Sequence, residues 1–175
     1  MENRTVLRSE GDRLQPALLD RLSDDEPEKR QETLEHSVVS KGRLKRTVLR
    51  DLGWLLNTTC HDTHGELVNH PEARRSVINF GIPVLSGKNF SGVDWRELER
   101  SIHEAILVFE PRILPDTLQV MAILPTDPLG HHNMLQFELR GELWSMPIPI
   151  ELLIRSELDL ETGQMTLNDQ LSAGN

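Results

Sequence analysis

WRELERSIHEAILVFEPR, residues 95–112, is the stretch from which the rest of the chain can be read. Trp95, Leu98, Ile102, Ala105, Ile106 and Phe109 recur at three- and four-residue steps and share one face of a helix. Arg96, Glu97, Glu99, Arg100 and Glu104 fall on the opposite face, which meets water. Ser91 can cap the start, and Asp94 sits in the first turn, where the helix dipole favours a negative charge. Pro111 ends the helix, because proline lacks an N–H and disfavours the α conformation at the residue before it.

The helix ends on an unfavourable charge. Glu110 is a carboxylate at the negative end of the dipole, where a cation would be preferred by up to about 1 kcal/mol. Arg112 lies two residues on, across the proline. One reading is a helix end with solvated charges. The other is a paired donor and acceptor, Glu110 and Arg112, fixed on either side of Pro111 and offered to a partner, a role for which arginine's planar fork is suited.

Working outward, residues 1–13 are polar. PALLDRL, residues 16–22, reads as a short amphipathic helix anchored by Leu18, Leu19 and Leu22, and SDDEPEKRQETLEHS after it reads as a charged linker. Ser40 to Asn57 reads as a second helix, with Leu44, Val48, Leu52, Leu55, Leu56 and Trp54 on its core face. Lys41, Arg43, Lys45, Arg46 and Arg50 make its first half basic, a local positive patch suited to an acidic protein surface. TTCHDTHGELVNHP, residues 58–71, is an irregular connector, and Pro71 to Phe80 reads as a third short helix closed by Gly81 and Pro83. SGKNFSG, residues 86–92, is a turn.

After Arg112 the period changes from helical to alternating. Leu118 to Leu124 reads as a strand with both faces partly apolar, TDPLGHH as a turn, and Leu135 to Arg140 as a half-buried strand. Ile148 to Ile154 alternates again. Pro147 and Pro149, two residues apart, withhold two N–H groups from the same lateral edge, which places them on an edge strand or at the start of one. Thr162–Gly163 turns and Gln164 to Leu167 returns. The class is α+β, N-terminal helices followed by a C-terminal antiparallel sheet with an edge open to strand addition. The expected organisation is an extension over residues 1–39, a domain over 40–168 and a disordered tail over 169–175.

Composition narrows the function. The chain has 175 residues, enough for one domain with a core, but apolar content of 37% is low and points to polar tails or surfaces completed by partners. Aromatics at 4%, no tyrosine and a net charge of −9 argue against nucleic acid as ligand. One cysteine excludes an intrachain disulfide and points to a reducing compartment. The start lacks the apolar core of a signal peptide, and no apolar run is long enough to span a bilayer. The expectation is a cytoplasmic protein without membrane insertion.

Catalytic patterns are absent. There is no nucleophile elbow, phosphate-binding glycine loop, CxxC pair or HExxH. Cys60, His61, Asp62, His64 and His70 are metal-capable, but zinc sites come as two spaced pairs and here there is one cluster; no metal or cofactor is expected. Glu110, behind Phe109 and before proline, is the one carboxylate in a setting dry enough for acid chemistry. A glycosidase would need a second carboxyl group and a cleft usually lined with aromatics. The three tryptophans, however, read as helix core or strand.

RDLGWLLNT (50–58), SVINFGIPVLSG (76–87), IHEAILVFEPRI (102–113) and FELRGELWSMPIPIELLIRSELDLETG (137–163) together resemble the TssE family. These are type VI secretion baseplate subunits related to the small wedge protein of contractile phage tails, a family also labelled "lysozyme-like". PALLDRLSDDEP (16–27) is similar to the family's leader, so the resemblance covers residues 16–163. Its hallmark tripeptide is Glu110, Pro111 and Arg112. The resemblance implies a non-catalytic part of the baseplate wedge, at the inner face of the bacterial inner membrane. Its neighbours there would be the TssF and TssG wedge subunits, possibly TssK, and the first ring of the TssB–TssC sheath. The alternative is a peptidoglycan hydrolase using Glu110.

Overall fold

The structure is a computed structural model and describes residues 17–22, 40–62, 65–84, 94–123, 134–145 and 147–170. The expected linker over 23–39, the turns at 86–92 and 126–132, Ser91, His64 and the tail beyond residue 170 lie outside them.

The long helices follow their apolar periods. Helix α2 (Lys41–Leu56) starts where the Ser40 hydroxyl accepts from the Arg43 N–H and ends at Asn57. It buries Leu44, Val48, Leu52, Leu55 and Leu56. Helix α4 (Trp95–Phe109) buries Leu98, Ile102, Ala105 and Ile106. Its cap is Asp94, whose carboxylate accepts from the Arg96 and Glu97 N–H groups. Asp94 therefore precedes the first turn rather than sitting in it.

Two shorter elements differ from expectation. Helix α1 (Leu18–Leu22) forms, but its leucines do not anchor it: Leu18 and Leu22 are 70% and 76% exposed. The anchor is polar. Asp20 accepts from Thr47 Oγ1 at 3.1 Å and from Arg50 Nη1 at 2.6 Å. Five residues cannot present a continuous apolar stripe, so the charged contact holds them. The third helix is split into α3 (Pro71–Arg74) and a 3-10 turn (Val77–Asn79). The Ser76 hydroxyl bonds the Ala73 carbonyl, and Asn79 Nδ2 bonds the Arg74 carbonyl. Such local side-chain bonds compete with helix continuation.

The sheet is a meander in the order β1-β2-β3-β4, all antiparallel: β1 (Gln119–Ile123), β2 (Met134–Leu143), β3 (Ile150–Asp159) and β4 (Met165–Asp169). Pairing runs Gln119 with Arg140, Leu139 with Ile154 and Leu158 with Met165. Leu135, Phe137, Leu139, Leu143, Leu152, Ile154 and Leu158 face the core. Helix α4 packs over β1 and α2 over β4, so both lie on one face of the sheet. Pro147 and Pro149 precede Ile150, the first residue of a central strand; they mark the start of β3 and not an edge. Asp169, placed by the sequence reading in a disordered tail, closes β4.

Each outer strand has one main-chain position taken by a side chain. Glu99 Oε1 accepts from the Ala122 N–H at 2.7 Å. Asn57 does more at β4: Oδ1 accepts from the Met165 N–H and Nδ2 donates to the Met165 carbonyl, both at 2.8 Å. At its start, around Met165, β4 and the turn before it border an open groove of about 550 Å³ lined by Thr58, Thr59, Ile82, Pro83, Gln164 and Thr166.

Candidate functional site: the turn after the fourth helix

The last turn of α4 ends when the Glu110 N–H donates to the Ile106 carbonyl at 2.8 Å. The chain then turns sharply through Pro111. The Ile113 N–H returns to the Glu110 carbonyl, and Ile113 bridges Leu143 at the end of β2. Leu114 N–H donates to Glu142, and Trp144 N–H donates to the Arg112 carbonyl, both at 2.8 Å. The turn is thus tied to the end of β2 by main-chain bonds on both sides of Ile113.

The side chains of Glu110 and Arg112 converge. Glu110 is only 3% exposed. Its Oε1 accepts from the Arg112 main-chain N–H at 3.1 Å and from Nε at 2.7 Å, and its Oε2 accepts from Nη2. This is the two-pronged arrangement that planar guanidinium favours. It supplies the positive charge that a carboxylate at this end of a helix lacks. The charges are not simply solvated: each takes the other as its first partner.

The same guanidinium reaches a third element. Arg112 Nη2 donates to Asp51 Oδ2 on α2 at 2.5 Å. Asp51 also accepts from Arg50 Nε at 3.0 Å, and Arg50 continues to Asp20 on α1. Burial alone would weaken the charge on Arg112, but Glu110 and then Asp51 more than offset it, so its guanidinium holds its proton more firmly than an ordinary arginine. Arg50 is raised likewise, chiefly by Asp20, and Asp20 is held below the usual carboxylate range, chiefly by Arg50. An alternating run of carboxylates and guanidiniums therefore joins α1, α2 and the turn after α4.

The run lines an open depression of about 490 Å³. Its apolar wall is Leu19, Trp54, Phe80, Phe109 and Pro111, with Phe80 and Phe109 edge to face at 5.3 Å between ring centres. Trp54 corrects the sequence reading: it is 50% exposed and carries the Arg50 guanidinium 4.9 Å over its ring. Trp144, read as strand, is also exposed and follows the end of β2. The depression offers an apolar patch, the exposed face of Pro111 and the edge of a fixed guanidinium. It offers no free acid, because both Glu110 oxygens already accept from Arg112.

Sequence reasoning missed Asp51 and Asp20 as parts of this site. The signal was present for Asp51: three residues from Val48 and four from Leu55, it is a carboxylate set against the apolar face of α2, where it calls for a cationic partner. For Asp20, nothing in the sequence pairs it with residues 47 and 50. The CHDTH stretch stands elsewhere. Cys60 is buried, and burial, then Asp62, pushes its thiol up. The Asp62 carboxylate accepts from the Leu67 N–H. Among the described residues no three His, Cys, Asp or Glu side chains gather as a metal site, and no helix is long and apolar enough to cross a membrane.

The family model described as baseplate wedge protein gp25 matches residues 42–147, from α2 to just past β2. It is the family of TssE and of the phage wedge protein, the one that the sequence blocks resemble. No curated protein and no solved structure matches the chain.

Proposed function

The chain belongs to the family of the baseplate wedge protein gp25, and from that premise we propose that it is a non-catalytic wedge subunit of a type VI secretion baseplate. A structural role in a phage or type VI baseplate is what the family supports. The finer reading is a subunit in the bacterial cytoplasm, at the inner face of the inner membrane. There it joins TssF and TssG, with TssK as a further candidate neighbour, to the first TssB–TssC ring, and promotes sheath assembly.

The observation that carries this reading is the clamp of Glu110, Arg112 and Asp51 beneath an aromatic-walled depression. A rigid turn with an exposed proline and a pre-set guanidinium suits recognition of a neighbouring chain, since little ordering remains to be lost on binding. The outer strand β4 supplies a second route. An extended segment can pair with its main chain beyond Met165. The acidic side chains of β3, Glu151, Glu157 and Asp159, favour a basic segment there.

The described residues around Glu110 lend the hydrolase alternative no support. A general acid must be free to give its proton, and the Glu110 carboxylate is engaged by an arginine on both oxygens. Asp51, the other carboxylate of the clamp, is bound to the same arginine.

The test is co-purification of tagged TssF and TssG with the wild type and with Glu110→Gln/Arg112→Met, whose folding is checked separately. The expected result is recovery with wild type and loss with the double variant, together with loss of sheath foci in cells. Equal recovery overturns the role of the tripeptide. Turnover of purified sacculi by wild type but not by Glu110→Gln overturns the non-catalytic reading.

A further inference from the structure

The outer stripe of α2 carries a second surface. Arg43, Arg46, Arg50 and Trp54 recur at three- and four-residue steps and share a face. Arg50 is held by Asp20 and Asp51. Arg43 and Arg46 have no carboxylate at ion-pair distance among the described residues. Beside them α1, pinned through Asp20, turns Leu18 and Leu22 outward. Leucines, arginines and a half-exposed tryptophan thus stand together, and tryptophan and arginine are the residue types enriched at binding hot spots.

The surface is placed against local preference. Helix α2 has no acidic residue in its first turn, where Arg43 opposes the dipole. The chain as a whole carries a net charge of −9, so these cations are concentrated where the background is negative.

We infer that this face binds an amphipathic helix of a partner protein, with leucine-like residues along one side and carboxylates along its margin. From Arg43 to Trp54 the stripe rises about 16 Å, roughly three helical turns, which matches a helix laid alongside. Leu18 and Leu22 lie four residues apart and offer one apolar ridge to an apolar stripe. Arg43 and Arg46 each present a fork that a carboxylate fills. An anionic lipid surface fits less well, because Asp20 and Asp51 neutralise Arg50 within the stripe and the net charge repels it. Nucleic acid is disfavoured by the same charge. The surface shares Arg50 and Trp54 with the depression, but its test reads Arg43, Arg46, Leu18 and Leu22, which lie outside it, so its failure is distinguishable from that of the wedge reading.

The experiment places a photo-crosslinking amino acid at Leu22 or at Arg46 of the full chain, in cells that make its natural complement of proteins. The attached segment is identified by mass spectrometry. Both positions are expected to capture one protein segment with carboxylates at three- or four-residue spacing beside apolar residues. Arg43→Glu/Arg46→Glu, read from the Leu22 probe, should lower the yield about tenfold or more, and Leu18→Ser/Leu22→Ser, read from the Arg46 probe, should do the same. Thermal midpoints of the purified variants, unchanged from wild type, show that the fold is kept. Capture of phospholipid or nucleic acid, of segments without carboxylates, or of no protein overturns the inference. So does a yield indifferent to the arginine variants.

Discussion

Arg112, on the turn after α4, donates to Asp51 on α2, 61 residues earlier in the chain. This bond decides what the tripeptide is. Glu110 and Arg112 alone would be a local pair at a helix end. With Asp51 they become a joint between two helices that pack on the same face of the sheet. The corner that carries Pro111 is therefore fixed from three sides: by its own carboxylate, by α2 and by main-chain bonds to β2.

The joint separates a stability effect from a recognition effect. Arg112→Ala leaves Glu110 buried without its partner, and breaking such a pair costs about 3–5 kcal/mol, less here because Arg112 is partly exposed. Glu110→Gln/Arg112→Met removes both charges and keeps volume, and should stay within about 2 kcal/mol of wild type. Urea midpoints for the two variants check this. If Arg112→Ala is as stable as the double variant, Glu110 is not held as described.

Much of this was legible in the sequence. The periods of residues 41–56 and 95–109 placed both long helices and their buried faces, and the alternation of 135–140 placed a central strand. The pairing of Glu110 and Arg112 across proline was one of two readings, and the sequence could not choose between them, because the choice depends on the turn being pulled onto β2 through Ile113 and Trp144. Trp54 misled for a different reason. Its apolar type suggested core, but its helical position faces away from Leu52 and Leu55, and Arg50 covers its ring. Helix α1 misled likewise, since three leucines outweighed one aspartate in the pattern but not in the packing.

Gly81 should be intolerant of any side chain. Its φ of +127° lies where L-residues are strained, and a Cβ there would stand 2.3 Å from the Thr58 carbonyl oxygen and 2.8 Å from the Cys60 nitrogen. Those atoms belong to the bridge in which Cys60 N–H donates to Ile82 and Ile82 N–H donates to Thr58. Gly81→Ala should cost about 3 kcal/mol or more, since main chain must move. A loss under about 1 kcal/mol in chemical denaturation would contradict this account.

Asn57 holds the start of β4 to the end of α2 through both halves of its amide. Asn57→Ala leaves the Met165 N–H and carbonyl without these partners, at a cost of about 1–3 kcal/mol. Asn57→Asp keeps an acceptor for the N–H but sets a carboxylate against the carbonyl, and should not recover the loss. Amide hydrogen exchange at Met165 should quicken in both variants while that at Phe137, in the middle of β2, changes only with global stability. Unchanged protection at Met165 would mean that the amide contact does not guard the edge.

Glu138 gives stability a pH dependence of known sign. It lies on the sheet face away from the helices and is only 7% exposed. Arg140 Nε donates to its Oε1 at 2.6 Å and Arg155 Nε approaches Oε2 at 3.5 Å. Arg140 first, and Arg155 after it, hold the carboxyl below the ordinary glutamate range against the opposing pull of burial. A carboxyl lowered by folding adds stability above its unfolded value, about pH 4.3, and loses it as pH falls through the lower folded value. Arg140→Gln removes the main cause. The gap between wild type and variant should be full near neutral pH and close as pH drops below about 4. Both arginines are more than half exposed, so the gap should stay under about 1 kcal/mol. Urea midpoints of the two proteins at neutral and acid pH read it directly, and a gap that widens toward acid would mean that Glu138 is not stabilised in its charged form.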